Sequence, residues 1–158
     1  MEGIYEWLID YETNPYHKAN PNYIFLAGYL NFAKLGTTLD PNKAFNYFYL
    51  ASSQNHFMAQ YFLGVCYEFG LGVTKDPKSA FDWYSKSAKQ DQSTVGKFAL
   101  GTYYEHSIGI EKNEEMAIQL YIKAADNGHV IAQFNLGNFF SLGSYVQKDD
   151  KKAFHYFV

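Results

Sequence analysis

Cys66 is the only cysteine in the chain. One thiol cannot build a disulfide framework, so a small secreted cross-linked scaffold is excluded. Basic charge is also sparse. The 13 Lys and Arg are outnumbered by 16 Asp and Glu, the formal net charge is -3, and the densest basic pair, Lys151-Lys152, runs at once into an apolar stretch. A footprint on nucleic acid needs a basic stripe, and an anionic membrane surface attracts clustered Lys and Arg; the sequence offers neither. No run approaches the roughly 18 uninterrupted apolar residues of a membrane-spanning helix. The start, Met1-Glu2-Gly3-Ile4-Tyr5-Glu6, lacks the basic residues and apolar run of a signal peptide, and no Asn opens an Asn-x-Ser/Thr acceptor. These absences predict a cytoplasmic chain with no nucleic-acid partner and no direct membrane insertion.

Chemistry-bearing constellations are missing too. The five histidines, at 17, 56, 106, 129 and 155, show no His-x-x-x-His spacing and there is no cysteine pair, so no metal site is expected. His56 and His129 read as solvated turn histidines, and Cys66, inside a helical segment, as a buried inert thiol. Gly70-Leu71-Gly72 lacks the Gly-Lys-Ser/Thr ending of a phosphate loop and sits between helices. Glu114-Glu115 and Asp149-Asp150 open helices, where negative charge suits the helix dipole. No catalytic residue, metal or cofactor is assigned, and the chain is expected not to be an enzyme.

What the sequence has is aromatic weight and repetition. Apolar residues make up 47% and charged residues 18%, the pattern of a globular chain, and 15 Tyr, 14 Phe and 2 Trp promise a packed interior or an adhesive surface. Leu63-Gly64-Val65-Cys66-Tyr67 returns as Leu100-Gly101-Thr102-Tyr103-Tyr104 and as Leu136-Gly137-Asn138-Phe139-Phe140, with a weaker copy at Ala27-Gly28-Tyr29-Leu30-Asn31. The glycines at 28, 64, 101 and 137 stand 36, 37 and 36 residues apart. Ala44-Phe45, Ala80-Phe81, Ala117-Ile118 and Ala153-Phe154 keep the same step.

Between these markers lies a glycine-rich turn, complete as Gly70-Leu71-Gly72-Val73, with relatives at Lys34-Leu35-Gly36-Thr37, Ser107-Ile108-Gly109-Ile110 and Gly143-Ser144-Tyr145-Val146. Three residues later stand Asp40, Asp76, Asn113 and Asp149. A glycine in the turn ends the first helix in a left-handed conformation, and the Asp or Asn caps the second. Pro41 and Pro77 follow at the first helical position. The glycine inside each first helix costs about 1 kcal/mol against alanine, so a close-packed neighbour is expected over it. One helix pair cannot bury its apolar stripe, so consecutive pairs must stack. The expected fold is all-α, a right-handed αα-superhelix (solenoid) of about four helix-turn-helix repeats.

These residues resemble the Sel-one-like repeat (SLR), a relative of the tetratricopeptide repeat. Ala59-Gln60-Tyr61-Phe62-Leu63-Gly64, Gly70-x-Gly72-Val73 and Asp76 follow the family pattern nearly throughout, and Ala132-Gln133-Phe134 and Ala124-Ala125 extend it. The first copy departs from it, with Lys34 at a turn glycine and Asn31 at an aromatic position. The paired cysteines of the family's bacterial cysteine-rich branch are absent. The register gives a domain of four repeats over 21–158, at about 21–56, 57–93, 94–129 and 130–158, the last incomplete. Before it, Ile4, Trp7, Leu8 and Tyr11 fall at helical spacing, which predicts an N-terminal capping helix within residues 1–20. An incomplete last repeat predicts an apolar edge open to self-association.

The resemblance implies a scaffold or adaptor. Family members assemble protein complexes, including those of endoplasmic-reticulum protein degradation, cell-wall synthesis regulation and bacterial interaction with hosts. The repeats also occur attached to kinases, which gives the alternative of a regulatory or targeting module in a larger signalling protein. In solenoids of this relationship the first helices line a concave groove that binds partner peptides or helices. The groove positions here are Phe25, Tyr29 and Phe32; Tyr61, Val65 and Glu68; Phe98, Thr102 and Glu105; and Phe134, Asn138 and Ser141. The column Phe25, Tyr61, Phe98, Phe134 is aromatic in every copy, which suits either packing between repeats or ligand contact. The column Phe32, Glu68, Glu105, Ser141 varies, and its two acids favour a partner carrying Lys or Arg.

Overall fold

The computed structural model describes Asn14, residues 19–33 and residues 40–158. The capping helix expected within residues 1–20 lies, apart from Asn14, Ala19 and Asn20, outside the described residues, as does the first repeat's turn, Lys34 to Thr37. Among the described residues there are eight α-helices and no strands: α1 (Pro21–Phe32), α2 (Pro41–Ser53), α3 (Phe57–Phe69), α4 (Pro77–Ala88), α5 (Thr94–His106), α6 (Glu114–Ala125), α7 (Val130–Leu142) and α8 (Asp150–Phe157). They form four successive helix-turn-helix repeats of an all-α solenoid, in two compact units, Met1–Trp83 and Tyr84–Val158. None of these helices is long and apolar enough to cross a membrane.

Each second helix starts where its cap dictates. Asp40 accepts from the Lys43 N–H at 2.9 Å and Asn113 from that of Met116 at 2.9 Å. Asp149 accepts from Lys151 and Lys152 at 3.1 and 3.0 Å. Asp76 takes the Lys78 N–H at 3.0 Å and the Ser79 hydroxyl at 2.6 Å, and the Ser79 bond holds its carboxyl below the usual range. The same four residues close the turn behind them. The backbone N–H groups of Asp40, Asp76, Asn113 and Asp149 return to the carbonyls of Asn31, Tyr67, Tyr104 and Phe140. An Asp or Asn at one register position thus ties the first helix of a repeat to the start of its second. Asn31, out of pattern for the family, is buried and donates its side-chain N–H to the Ala27 carbonyl at 2.8 Å.

The first helices of the last three repeats end in a left-handed residue, Gly70 at φ 72°, Ser107 at φ 59° and Gly143 at φ 72°. Ser107 holds with a side chain a conformation that glycine adopts freely.

In the first unit, Ile24, Ala27, Ala44, Phe48, Ala51, Ala59 and Leu63 form the core. Phe48 stacks on Phe62 at 5.1 Å between ring centroids, with Phe25 and Phe32 5.7 and 5.2 Å from the same ring. In the second unit, Ala117, Tyr121, Ala124, Ala132, Leu136 and Phe140 do the same work. The helix-borne glycines Gly28, Gly101 and Gly137 each have an aromatic ring over them, as expected. A Cβ on Gly28 would lie 2.9 Å from the Phe48 ring, and one on Gly101 2.8 Å from the Tyr121 ring. The aromatic residue of the second helix therefore packs directly against bare backbone of the first.

Candidate functional site

The groove positions divide by what already touches them. Phe25 packs within the first unit's aromatic cluster and stacks on His56 at 4.8 Å. Phe32 lies edge-on to Phe62 at 5.2 Å. Tyr61 also meets Phe62 edge-on, at 5.3 Å, and burial raises its phenol pKa, with the Glu68 charge adding to the effect. Tyr29 is 36% exposed, one edge against Phe62 at 5.5 Å. Glu68 and Val65 are half-buried. Tyr23 and Leu26 on the same helix are also partly exposed.

In the second unit Phe98 repeats the role of Phe25, stacking on His129 at 4.5 Å and packing against Tyr121 at 5.3 Å. Thr102 donates to the Phe98 carbonyl at 3.1 Å and its oxygen lies 3.2 Å from the Tyr121 hydroxyl. That hydroxyl donates to the Glu105 carboxylate at 2.6 Å, and the Glu105 side chain is 12% exposed. Burial and the anionic acceptor push the Tyr121 phenol pKa upward. Asn138 and Ser141 are half-buried, and Phe134 is 58% exposed with Phe157 at 6.1 Å. Val130 and Ile131 on the same helix, and Phe154 on α8, are exposed as well.

The sequence reading of the two histidines needs correction. His56 and His129 are half-buried N-caps, not solvated turn residues. The Nδ1 atom of each accepts a helix N–H, from Ala59 at 3.1 Å and from Ala132 at 3.2 Å. An accepting Nδ1 makes each ring neutral with its proton on Nε2, and in His56 that atom faces the Asn22 side-chain oxygen at 3.1 Å. Burial lowers both pKa values. Each ring also lies flat on the aromatic residue of the preceding repeat, so one residue caps a helix and packs a repeat junction. The shared register position at the heads of α3 and α7, held by Ser93 in the repeat between them, was the one visible signal for this.

Cys66 is buried, its thiol pushed up to about 12 by desolvation, as expected of a packing residue. Among the described residues no group of three His, Cys, Asp or Glu side chains could hold a metal ion. What the two units present is a set of helix faces carrying exposed aromatics beside half-buried polar groups.

Comparison with known proteins agrees with this architecture. The sequence pattern of the Sel1 repeat matches residues 23–56, 57–92, 95–129 and 130–158. A Sel1 repeat protein from Oxalobacter formigenes is 33% identical, with a TM-score of 0.81 over 87% of this chain and 56% of that one. The protective antigen c5321 of uropathogenic Escherichia coli, which displays an SLR fold, is 29% identical, with a TM-score of 0.84 over 95% of this chain and 32% of that one. Rat (Rattus norvegicus) DAP3-binding cell death enhancer 1 is 46% identical over 50 residues, which are 32% of this chain and 10% of that protein. The chain thus spans a tenth of the length of this curated relative, and 56% and 32% of the two solved chains.

Proposed function

The chain belongs to the Sel1 repeat family, whose repeats generally mediate protein–protein interactions and are typically non-enzymatic, and from this we propose that it is a scaffold or adaptor that holds partner peptides or helices on the first-helix face of its units. The observation that carries the reading is the exposure of large apolar side chains on first helices: Tyr23, Leu26 and Tyr29 on α1, and Val130, Ile131 and Phe134 on α7. Aromatic residues that keep part of their surface in water are the usual anchors of protein interfaces. In the first unit, Tyr29, Tyr61 and Glu68 are the contact residues; in the second, Thr102, Glu105, Phe134, Asn138 and Ser141. Phe25, Phe32 and Phe98 support these faces from behind, since their rings are taken up by packing between helices.

Glu68 sets the preference for a partner carrying Lys or Arg. Glu105 contributes charge, but its carboxylate is already fixed by Tyr121, so it acts as an oriented acceptor rather than a mobile one. The name of the rat relative, which describes that protein as binding DAP3, supports a protein-binding role for repeats of this kind. The test is capture of partners from native extract by the wild type and by a Tyr29→Ala, Glu68→Lys variant, with partner loss in the variant expected.

A second reading rests on a separate observation. Val130, Ile131 and Phe134 on α7 and Phe154 on α8 all expose apolar side chains on the last repeat. A second copy of this chain is its proposed occupant.

A further inference from the structure

The second unit contains a cavity of about 500 Å³ among the end of α4, the start of α5 and the end of α6, and its lining is cationic. Lys89, Lys97 and Lys123 line it with Asp91 as the one acid, alongside Ala88, Leu120 and Asn127. Lys97 is only 6% exposed. Its ammonium donates to the carbonyls of Gln90 at 2.9 Å and Asp91 at 2.7 Å, which leaves the third of its N–H groups without a partner. Among the described residues none of the three lysines forms an ion pair. Burial lowers the pKa of Lys97, Asp91 offsets part of this, and Lys123 adds to the lowering.

The repeat register shows why this is more than a turn staple. Lys97 occupies the position of Gln60 and Gln133 in the neighbouring repeats. Gln133 Nε2 donates to the Ala125 carbonyl at 3.1 Å, and Gln60 Nε2 to the Asn55 side-chain oxygen at 3.1 Å. A neutral amide therefore suffices to tie down the turn between repeats. The third repeat instead places a part-buried positive charge there, a costlier group to withdraw from water than an amide, and lines the same cavity with two further lysines.

We propose that this cavity is a binding site for a compact oxyanion, a phosphoryl or carboxylate group, held by Lys97 at its base and by Lys89 and Lys123 at its rim. Three lysines lining one open, partly apolar pocket match such a group in charge and in hydrogen-bonding capacity. The site does not depend on the helix faces assigned to protein partners.

The test is titration of the ¹⁵N-labelled chain at constant ionic strength, once with inorganic phosphate and once with acetate, following backbone amide shifts. Saturable shifts confined to residues 88–97 and 120–127 are expected. Lys97→Gln restores the amide of the neighbouring repeats, so its turn should hold while affinity falls at least tenfold. Lys123→Gln, an exposed substitution, should also weaken binding and serves if Lys97→Gln does not fold. Saturation by phosphate alone assigns the site to phosphoryl groups; saturation by both anions widens it to carboxylates. Shifts that never saturate, that spread to Lys151 and Lys152, or that persist unchanged in both variants would overturn the proposal.

Discussion

At Gly101 two opposing effects can be weighed. Alanine in an open helix would gain about 1 kcal/mol over glycine. Here the added methyl would sit 2.8 Å from the Tyr121 ring, and that ring cannot swing away without breaking the 2.6 Å bond to Glu105. Overpacking a core of this kind costs about 1–3 kcal/mol, so the loss wins. Gly101→Ala should lower the midpoint of thermal unfolding by several degrees in calorimetry; an unchanged or raised midpoint would show that the ring relaxes freely. The caps make a second prediction. His129 must be neutral to accept the Ala132 N–H, and its folded pKa lies below the ordinary value of 6.5. A group with a depressed folded pKa stabilises the fold fully above its unfolded pKa, and this contribution is lost as pH falls through the folded one. His129→Asn keeps an acceptor at the cap and removes the titration. Its unfolding free energy, measured in urea from pH 7.5 to 5, should fall less steeply than that of the wild type; parallel curves would contradict the assignment. Neither histidine's role was readable from the sequence, because histidine is an uncommon cap and the ring it stacks on comes from the preceding repeat.

Helices in this chain are bounded by residues that act within one turn of themselves, and those boundaries were legible. Asp40, Asp76, Asn113 and Asp149 stand where the sequence puts them, with Pro41 and Pro77 opening their helices. What could not be read was the use of each aromatic residue. Phe25, Phe98 and Phe134 share one register position, yet the first two are enclosed by rings from neighbouring helices and Phe134 is 58% exposed. Exposure depends on which side chains arrive from elsewhere in the fold, and helical periodicity carries no record of that. The same limit applies to Glu105, whose engagement by Tyr121 depends on the packing of α5 against α6. The last helix offers an element-level test. α8 has eight residues and its cap, Asp149, satisfies two N–H groups. A helix this short depends on its cap, so Asp149→Ala should cost about 1 kcal/mol and speed amide exchange from Lys151 to Phe154. Exchange rates matching the wild type would mean that packing of Ala153 alone holds the helix.

For the molecule as a whole, repetition was the most informative feature of the sequence, since four copies in register specify helix pairs, and helix pairs must stack to bury their apolar stripes. Its exposed surface is the consequence that matters for function. If the apolar face of the last repeat takes a second copy, sedimentation velocity should show mass rising with concentration, and Phe134→Glu should abolish the rise; a concentration-independent monomer would contradict self-association. The central claim is that first-helix faces hold protein partners, and capture from native extract tests it most directly. Wild type should retain a partner rich in Lys or Arg at the contact, Tyr29→Ala, Glu68→Lys should lose it, and Glu105→Gln, which keeps an acceptor for Tyr121, should lose less. Equal capture by the wild type and the Tyr29→Ala, Glu68→Lys variant, with both folded by circular dichroism, would contradict the assignment of this face.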